Sequence, residues 1–373
     1  MPVHNHKTWV EISGEALENN VRVLCGVLAP SVKLMAVVKA NAYSHGLKEV
    51  VSVLKKDMGI MFGVDSLEEA LVIKSIAPKN EIMILGYIPK ENLALAIKNG
   101  FHFSIYDENV LRFVARLVKI GQIDTKMIKV HLKIETGTNR LGIKPGELKN
   151  VVFEFPITGI YTHLADSEDL SSSFYKEQIK RLNEAVAILK SRGITPRFIH
   201  SACTAAIMRP GILEGNLVRA GIGLYGLWPS EKLREKLSQK IRLEPALSWK
   251  TKIVQVRRVS RGETVGYGRT HKVKNETSIA VLPVGYYDGY DRKLSQCGEV
   301  IISGKRAKIV GRVCMNMTIV DLGGIKAKAG DDVILIGKNG KEQITVEELA
   351  QKIGTINYEV VSRINPLLPR IYI

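Results

Sequence analysis

A chain of 373 residues, 45% of them hydrophobic, is long enough to bury one large core and a second, smaller one. Its formal charge of +17, from 54 basic against 37 acidic residues, is spread along the whole length with no basic tail and no aromatic-basic stripe; that argues against nucleic acid and for a solvated surface that favours anionic ligands. Cys25, Cys203, Cys297 and Cys314 lie far apart with neither a Cys-x-x-Cys pair nor zinc-like spacing, the N-terminus has no signal pattern, and no apolar run approaches the roughly 20 residues of a membrane helix. The expectation is a cytoplasmic protein with reduced thiols, no metal, no nucleic-acid partner and no membrane partner.

In chain order, a short extended segment at 7–12 precedes eight β-branched runs at 34–39, 60–65, 82–86, 101–105, 128–135, 157–163, 197–200 and 217–222. Helix-period stretches separate them, at 47–56, at 66–75 behind the capping pattern Ser66-Leu67-Glu68-Glu69, at 107–119 and at 172–192. Eight βα repeats, with no Gly-x-Gly-x-x-Gly opening the first helix, predict an α/β fold: a (β/α)8 barrel rather than an open sheet. After about residue 241 the texture changes to strands and glycine turns at 248–259, 278–284, 299–302, 307–310, 318–321 and 332–336, with one helix at 345–353. The expected organisation is a barrel over 13–240, a mostly β C-terminal domain over 241–373, and an N-terminal strand within 1–12 joining that second domain.

Strand ends and the loops after them share one face of such a barrel. Here they supply Lys39, Tyr43, Arg140, His163, His200, Cys203, Thr204, Arg219, Gly221 and Ile222. Cations and hydroxyls dominate, and neither the paired carboxylates of a glycosidase nor the carboxylate cluster of a magnesium site appears. "RAGIG" (219–223) follows the eighth strand, where barrel enzymes often bind phosphate through loop amides. Taken singly, each residue also has a structural reading: Lys39 as a strand end with its ammonium in water, the histidines as satisfied core residues, Arg219 as an ion-pair partner.

Eight motifs in fixed order carry a resemblance over nearly the whole chain: "AVVKANAYSHG" (36–46), "GTNRLG" (137–142), "YTHLA" (161–165), "VRAGIGLYG" (218–226), "VGYG" (265–268), "PVGYYDG" (283–289), "GRVCMN" (311–316) and "TINYEV" (355–360). On these the sequence resembles the fold type III pyridoxal-phosphate enzymes, and among them the alanine racemases. The resemblance implies pyridoxal 5'-phosphate as cofactor, alanine as substrate, D-alanine for peptidoglycan synthesis as the purpose, and a homodimer with shared active sites. It further implies that Lys39 binds the cofactor covalently and serves as base on the D-side of the substrate Cα, with Tyr267 as base on the L-side, entering from the partner subunit. Tyr43, Thr204, Gly221, Ile222 and Tyr358 match phosphate-holding positions, His163 the imidazole against the pyridine ring, and Arg219 the arginine facing its nitrogen. Arg140 and the backbone of Met315 match groups holding the substrate carboxylate, Tyr286 an entrance residue, and Lys133 a lysine often carbamylated in the family.

Two departures bear on the substrate. Cys203-Thr204 stands where the family often has Asn-Ser, which keeps a hydroxyl and loses an amide, and Asn316 stands where aspartate is common. A racemase acting on serine, lysine or several amino acids is the alternative they leave open.

Overall fold

After a first strand, β1 (Thr8–Ile12), the chain lays down eight short strands between helices: β2 (Lys33–Val37), β3 (Met61–Val64), β4 (Ile82–Ile84), β5 (His102–Ile105), β6 (Lys129–Lys133), β7 (Ile157–Tyr161), β8 (Phe198–His200) and β9 (Leu217–Ala220). The structure, a computed structural model, describes residues 6–209 and 214–373. All eight pair in parallel in the order β8-β7-β6-β5-β4-β3-β2-β9. The two end strands then meet: Asn216 N–H donates to Ile199 O at 3.0 Å and Arg219 N–H to Ala202 O at 3.0 Å, which closes the (β/α)8 barrel.

These strands read as near-continuous apolar runs because helices cover them outside and side chains fill them inside. Met35, Met61, Met83, Tyr161, Phe198 and Leu217 form one such filling, the three methionines fully buried. Helix starts follow the sequence. Ser66 accepts from Glu69 N–H ahead of Leu67–Ile76, and Asp107 accepts from Val110 N–H ahead of Glu108–Lys119, caps worth about 1 kcal/mol each.

The chain divides into two units, Glu15–Ala42 with Val50–Glu244, and Met1–Gly14 with Tyr43–Glu49 and Pro245–Ile373. The second contains β1, β10 (Leu247–Lys252), β11 (Gln255–Val259), the small hairpin β12 (Thr264–Val265) and β13 (His271–Lys272), β14 (Thr277–Leu282), β15 (Glu299–Ile302), β16 (Lys305–Ile309), β17 (Thr318–Asp321), β18 (Asp332–Asn339), β19 (Glu342–Ile344) and β20 (Arg370–Tyr372). Its large sheet runs β11-β14-β17-β16-β15-β18-β10-β1-β20, with β19 on β18. β1 lies antiparallel to β10, with Val10 opposite Trp249, and parallel to β20.

The single strand expected at 248–259 is two. At Ile253 and Val254 the backbone changes partner, Ile253 N–H donating to Asp331 O and Val254 N–H to Val281 O, both at 2.9 Å. The chain thereby passes from the β18 side of the sheet to β14. Trp249 packs edge-on against Tyr290, ring centroids 5.7 Å apart, in the centre of this unit's core.

Candidate active site

Strand β2 stops at Val37, two residues earlier than its sequence suggests, and Lys39 opens a left-handed turn. Ala40, Asn41, Ala42, Tyr43 and Ser44 have φ of 55°, 54°, 53°, 53° and 60°. Five consecutive L-residues rarely adopt this conformation, because each Cβ crowds the following carbonyl at a cost of about 1–2 kcal/mol. Tertiary hydrogen bonds hold it: Asn41 N–H donates to Glu69 Oε1 at 3.1 Å, and Glu69 Oε2 accepts from Asp65 N–H at 3.0 Å. Lys39 Nζ, half-exposed, lies 3.3 Å from Asp65 Oδ1. In the other unit Ser44 O accepts from Arg370 Nη2 at 2.9 Å, and Ser44 Oγ donates to Ser362 O at 3.1 Å. Ala40 is exposed, so Ala40→Gly removes strain without emptying the core; it is expected to stabilise the protein by about 1 kcal/mol in urea unfolding.

The loop after β6 is organised by Glu135, which the sequence reading did not single out. Its carboxylate accepts from Gly137 N–H at 2.5 Å, Thr138 Oγ1 at 3.0 Å and Arg140 N–H at 3.2 Å. Gly142, at φ 144°, closes the loop where a Cβ would stand 2.5 Å from Glu135 N. Arg140 is thus presented from a loop folded on a single half-buried carboxylate. Lys133, the last residue of β6, is nearly buried; desolvation, then the charges of Arg140 and Arg219, push its amine down to about 8.

Arg219, at the end of β9, is 5% exposed. Nη1 donates to His200 Nδ1 at 2.7 Å and His200 O at 3.2 Å. Nη2 donates to Thr162 O at 2.7 Å, Ser201 O at 3.0 Å and, more weakly, His163 Nδ1 at 3.4 Å. Its Nε–H is the one guanidinium donor without an acceptor among the described residues. His163 is pushed down to about 3, by desolvation first and then by Arg219, Arg140, Lys133 and Lys39; its ring is neutral at pH 7. These five groups therefore share one electrostatic neighbourhood at the barrel mouth.

Thr204 Oγ1 accepts from Gly221 N–H at 2.9 Å and Gly223 N–H at 3.4 Å, leaving its own O–H to donate. Gly223 is required by this approach, since a Cβ there would meet Thr204 Cγ2 at 2.6 Å. Gly221 and Ile222 lead into the short 3-10 helix Ile222–Tyr225. Cys203, half-buried, lies with Sγ 3.1 Å from Ser167 Oγ.

The remaining candidates belong to the β unit. Tyr43 and Tyr358 face each other with ring centroids 6.3 Å apart. Tyr267, in the turn between β12 and β13, is 73% exposed, and Tyr286 and Met315 are also exposed. Tyr286 N–H donates to Cys314 O at 3.0 Å, so the "PVGYYDG" and "GRVCMN" loops run side by side, with Asn316 at the surface.

Burial of neutral histidines makes the fold acid-sensitive. His163, His102, His131 and His200 are all held below the ordinary histidine value of 6.5, chiefly by desolvation. The unfolded chain therefore binds more protons than the folded one below pH 6.5. Stability is expected to be complete above about pH 6.5 and to fall as pH drops from there toward 3. Urea midpoints at pH 7.5, 6 and 5 check this, and His163→Phe should lessen the slope.

A barrel mouth of amines, guanidiniums, hydroxyls and loop amides defines a barrel enzyme that handles an anionic ligand, built in one chain with a second, β-sheet unit. Among the described residues no three His, Cys, Asp or Glu side chains are grouped to hold a metal ion. The family model for the alanine racemase N-terminal domain matches residues 12–229, and that for the alanine racemase C-terminal domain matches residues 246–372. The chain belongs to the alanine racemase family. It is 37% identical to the alanine racemase of Leptospira interrogans, over 99% of this chain and 96% of that one. With the alanine racemase of Desulforamulus reducens it shares 38% identity over 98% of each chain. The crystal structure of alanine racemase from Bacillus anthracis with bound L-Ala-P superposes with a TM-score of 0.92 at 33% identity, over 100% of this chain and 96% of that one. Alanine racemase from Bartonella henselae with covalently bound pyridoxal phosphate gives a TM-score of 0.86 at 26% identity, over 99% and 100%.

Proposed function

We propose that this chain interconverts L- and D-alanine with pyridoxal 5'-phosphate as cofactor, supplying D-alanine for peptidoglycan. The observation that carries the reading is Arg219: a buried guanidinium whose other N–H groups are engaged and whose Nε–H remains to be given to an acceptor nitrogen. The donor set fits the cofactor. When bound, that cofactor draws electrons from the substrate Cα and acidifies its proton. Lys39 attaches it and removes or returns the proton on the D-side; Tyr267 does so on the L-side. Arg219, permanently charged, disfavours a proton on the ring nitrogen, which limits how far charge spreads from Cα and suits simple proton exchange over side reactions. His163 lays a neutral ring against the pyridine. Tyr43, Tyr358, Thr204 and the amides of Gly221 and Ile222 bind the phosphate, the Gly221 N–H exchanging Thr204 Oγ1 for it, and Arg140 with the Met315 backbone holds the substrate carboxylate.

Lys133, with its amine near 8, has a neutral fraction of about a tenth at pH 7, the form that carbon dioxide carbamylates. The resulting anion would orient Arg140, behind an entrance narrowed by Tyr286. Supporting a homodimer in which Tyr267 enters the partner's site is its exposure in the single chain. The domains proposed are the barrel over 13–240 and a β domain over 241–373 joined by the strand within 1–12. A cytoplasmic location agrees with four free cysteines; among the described residues no helix is long and apolar enough to cross a membrane.

The test is the purified protein with added cofactor, assayed for L-to-D conversion by chiral chromatography on alanine, serine and lysine. A visible absorption band bleached by borohydride, with alanine turned over fastest, is expected. Faster turnover of serine or lysine would move the substrate to the alternative that the surface position of Asn316 leaves open.

A further inference from the structure

Arg219 stands at one end of a line of buried histidines that crosses the barrel. His200 Nε2 is 2.9 Å from His131 Nδ1 and His131 Nε2 is 3.0 Å from His102 Nδ1; His102 Nε2 makes no hydrogen bond among the described residues, and Glu81 Oε1 lies 3.4 Å from it, within ion-pair distance. The three rings are at most 1% exposed. Glu81, the residue before β4, is held in turn by Lys33 and, at 3.3 Å, by Arg197.

The polarity of this line is dictated at the Arg219 end and favoured by the charge at the other. A guanidinium only donates, so His200 Nδ1 accepts and its proton sits on Nε2. That proton makes His131 Nδ1 an acceptor, and the same logic passes to His102. Glu81 Oε1, 3.4 Å from His102 Nε2 and outside hydrogen-bond geometry, attracts the positive edge of that ring through space and so favours the same tautomer. Every imidazole dipole therefore turns its negative end to Arg219 and its positive end to Glu81. Desolvation keeps the rings neutral. Because Arg219 gives up no proton, the line is not a proton path; it is a fixed row of dipoles. No carboxylate lies within ion-pair distance of Arg219 among the described residues, so this row is its route to a counter-charge.

We propose that Glu81 is a positioning residue of the reaction: it closes an oriented relay of His102, His131 and His200 that fixes the place and charge of Arg219. The relay's effect on the reaction rests on the reading that Arg219 faces the cofactor ring.

Long-range 1H–15N correlation on the histidine-labelled, cofactor-loaded protein tests the geometry without any variant. The ionisable groups facing the relay are Lys33, Lys129 and Arg197 around Glu81 and His102, with Tyr161 and Arg219 at His200. His102, His131 and His200 should each carry the proton on Nε2 alone from pH 6 to 9; a single Nδ1–H tautomer or charged ring among them overturns the proposal. Glu81→Gln keeps an accepting oxygen and removes the charge. It should shift the 15N resonances of His200, two rings away, and lower kcat for alanine about threefold to tenfold with KM within twofold. Lys33→Met, which removes a salt-bridge partner of Glu81 only, should leave His200 unmoved. If Glu81→Gln leaves both the His200 resonances and kcat unchanged while the enzyme racemises alanine, the relay has no such role and the functional reading stands. If the tautomers are as stated in a protein that binds no pyridoxal phosphate, the functional reading fails and the relay's geometry stands.

Discussion

Lys39→Ala is expected to abolish alanine racemisation, lowering kcat by at least about ten-thousandfold, and to remove the borohydride-sensitive visible band. The loss should be chemical rather than structural. Lys39 is half-exposed and its ion pair with Asp65, at 3.3 Å, has both partners in solvent contact; such pairs contribute about 0–1 kcal/mol. The left-handed turn rests on backbone hydrogen bonds to Glu69 and Val38, not on the Lys39 side chain. Urea unfolding of the variant should therefore match wild type within about 0.5 kcal/mol. Lys39→Arg separates charge from nucleophilicity: it keeps a cation beside Asp65 and cannot attach the cofactor, so it should be as inactive as Lys39→Ala. Methylamine added to Lys39→Ala should restore part of the activity, by supplying an external amine. Wild-type rates in Lys39→Ala would remove this lysine from the chemistry.

The barrel was legible because each strand is a short β-branched run bounded by turn residues, and because eight repeats of such runs have few other solutions. The helix starts at Ser66, Asp107 and Thr345 were legible because capping is local. Long-range devices were not. "KANAYS" contains no glycine and is rich in alanine, which propensity assigns to a right-handed helix or a loop; its left-handed turn is imposed by Glu69, 28 residues on from Asn41, and by Arg370, 326 residues on from Ser44. For the same reason residues 43–49 group with the β unit, which no linear boundary expresses. Among the candidate site residues, strand-end position and charge pointed to Lys39, Arg140, His163 and Arg219, whereas Tyr267, Tyr286, Met315 and Tyr358 rest on the resemblance alone. Glu135, His102 and His131 gave no signal, and His200 stood out only as a strand-end residue. Single histidines on apolar strands look like core residues, and only the closed barrel places His102, His131 and His200 in a row.

The second large effect is at the opposed base. Tyr267→Phe removes one hydroxyl from an exposed turn and is expected to lower racemisation about a thousandfold in both directions, with stability unchanged. Both directions must fall together, because the two enantiomers of alanine are equal in free energy. The half-reactions should not fall together. With Lys39 intact, D-alanine is expected to go on exchanging its α-proton with deuterated water without inversion, while exchange from L-alanine drops with racemisation. Equal loss of exchange from both enantiomers would leave Tyr267 no base role and make it a binding residue. The exposure of Tyr267 adds a second requirement. At 73% exposure in the single chain, Tyr267 reaches a site holding the other base only through a second chain. Activity per chain should thus decline on dilution in parallel with loss of dimer, read by sedimentation. An inactive mixture of Lys39→Ala and Tyr267→Phe chains, each inactive alone, should recover up to about a quarter of wild-type activity when hybrid dimers form, since each hybrid carries one site with both bases intact. Full activity in a dilute monomer, or no recovery in verified hybrids, would place both bases within one chain.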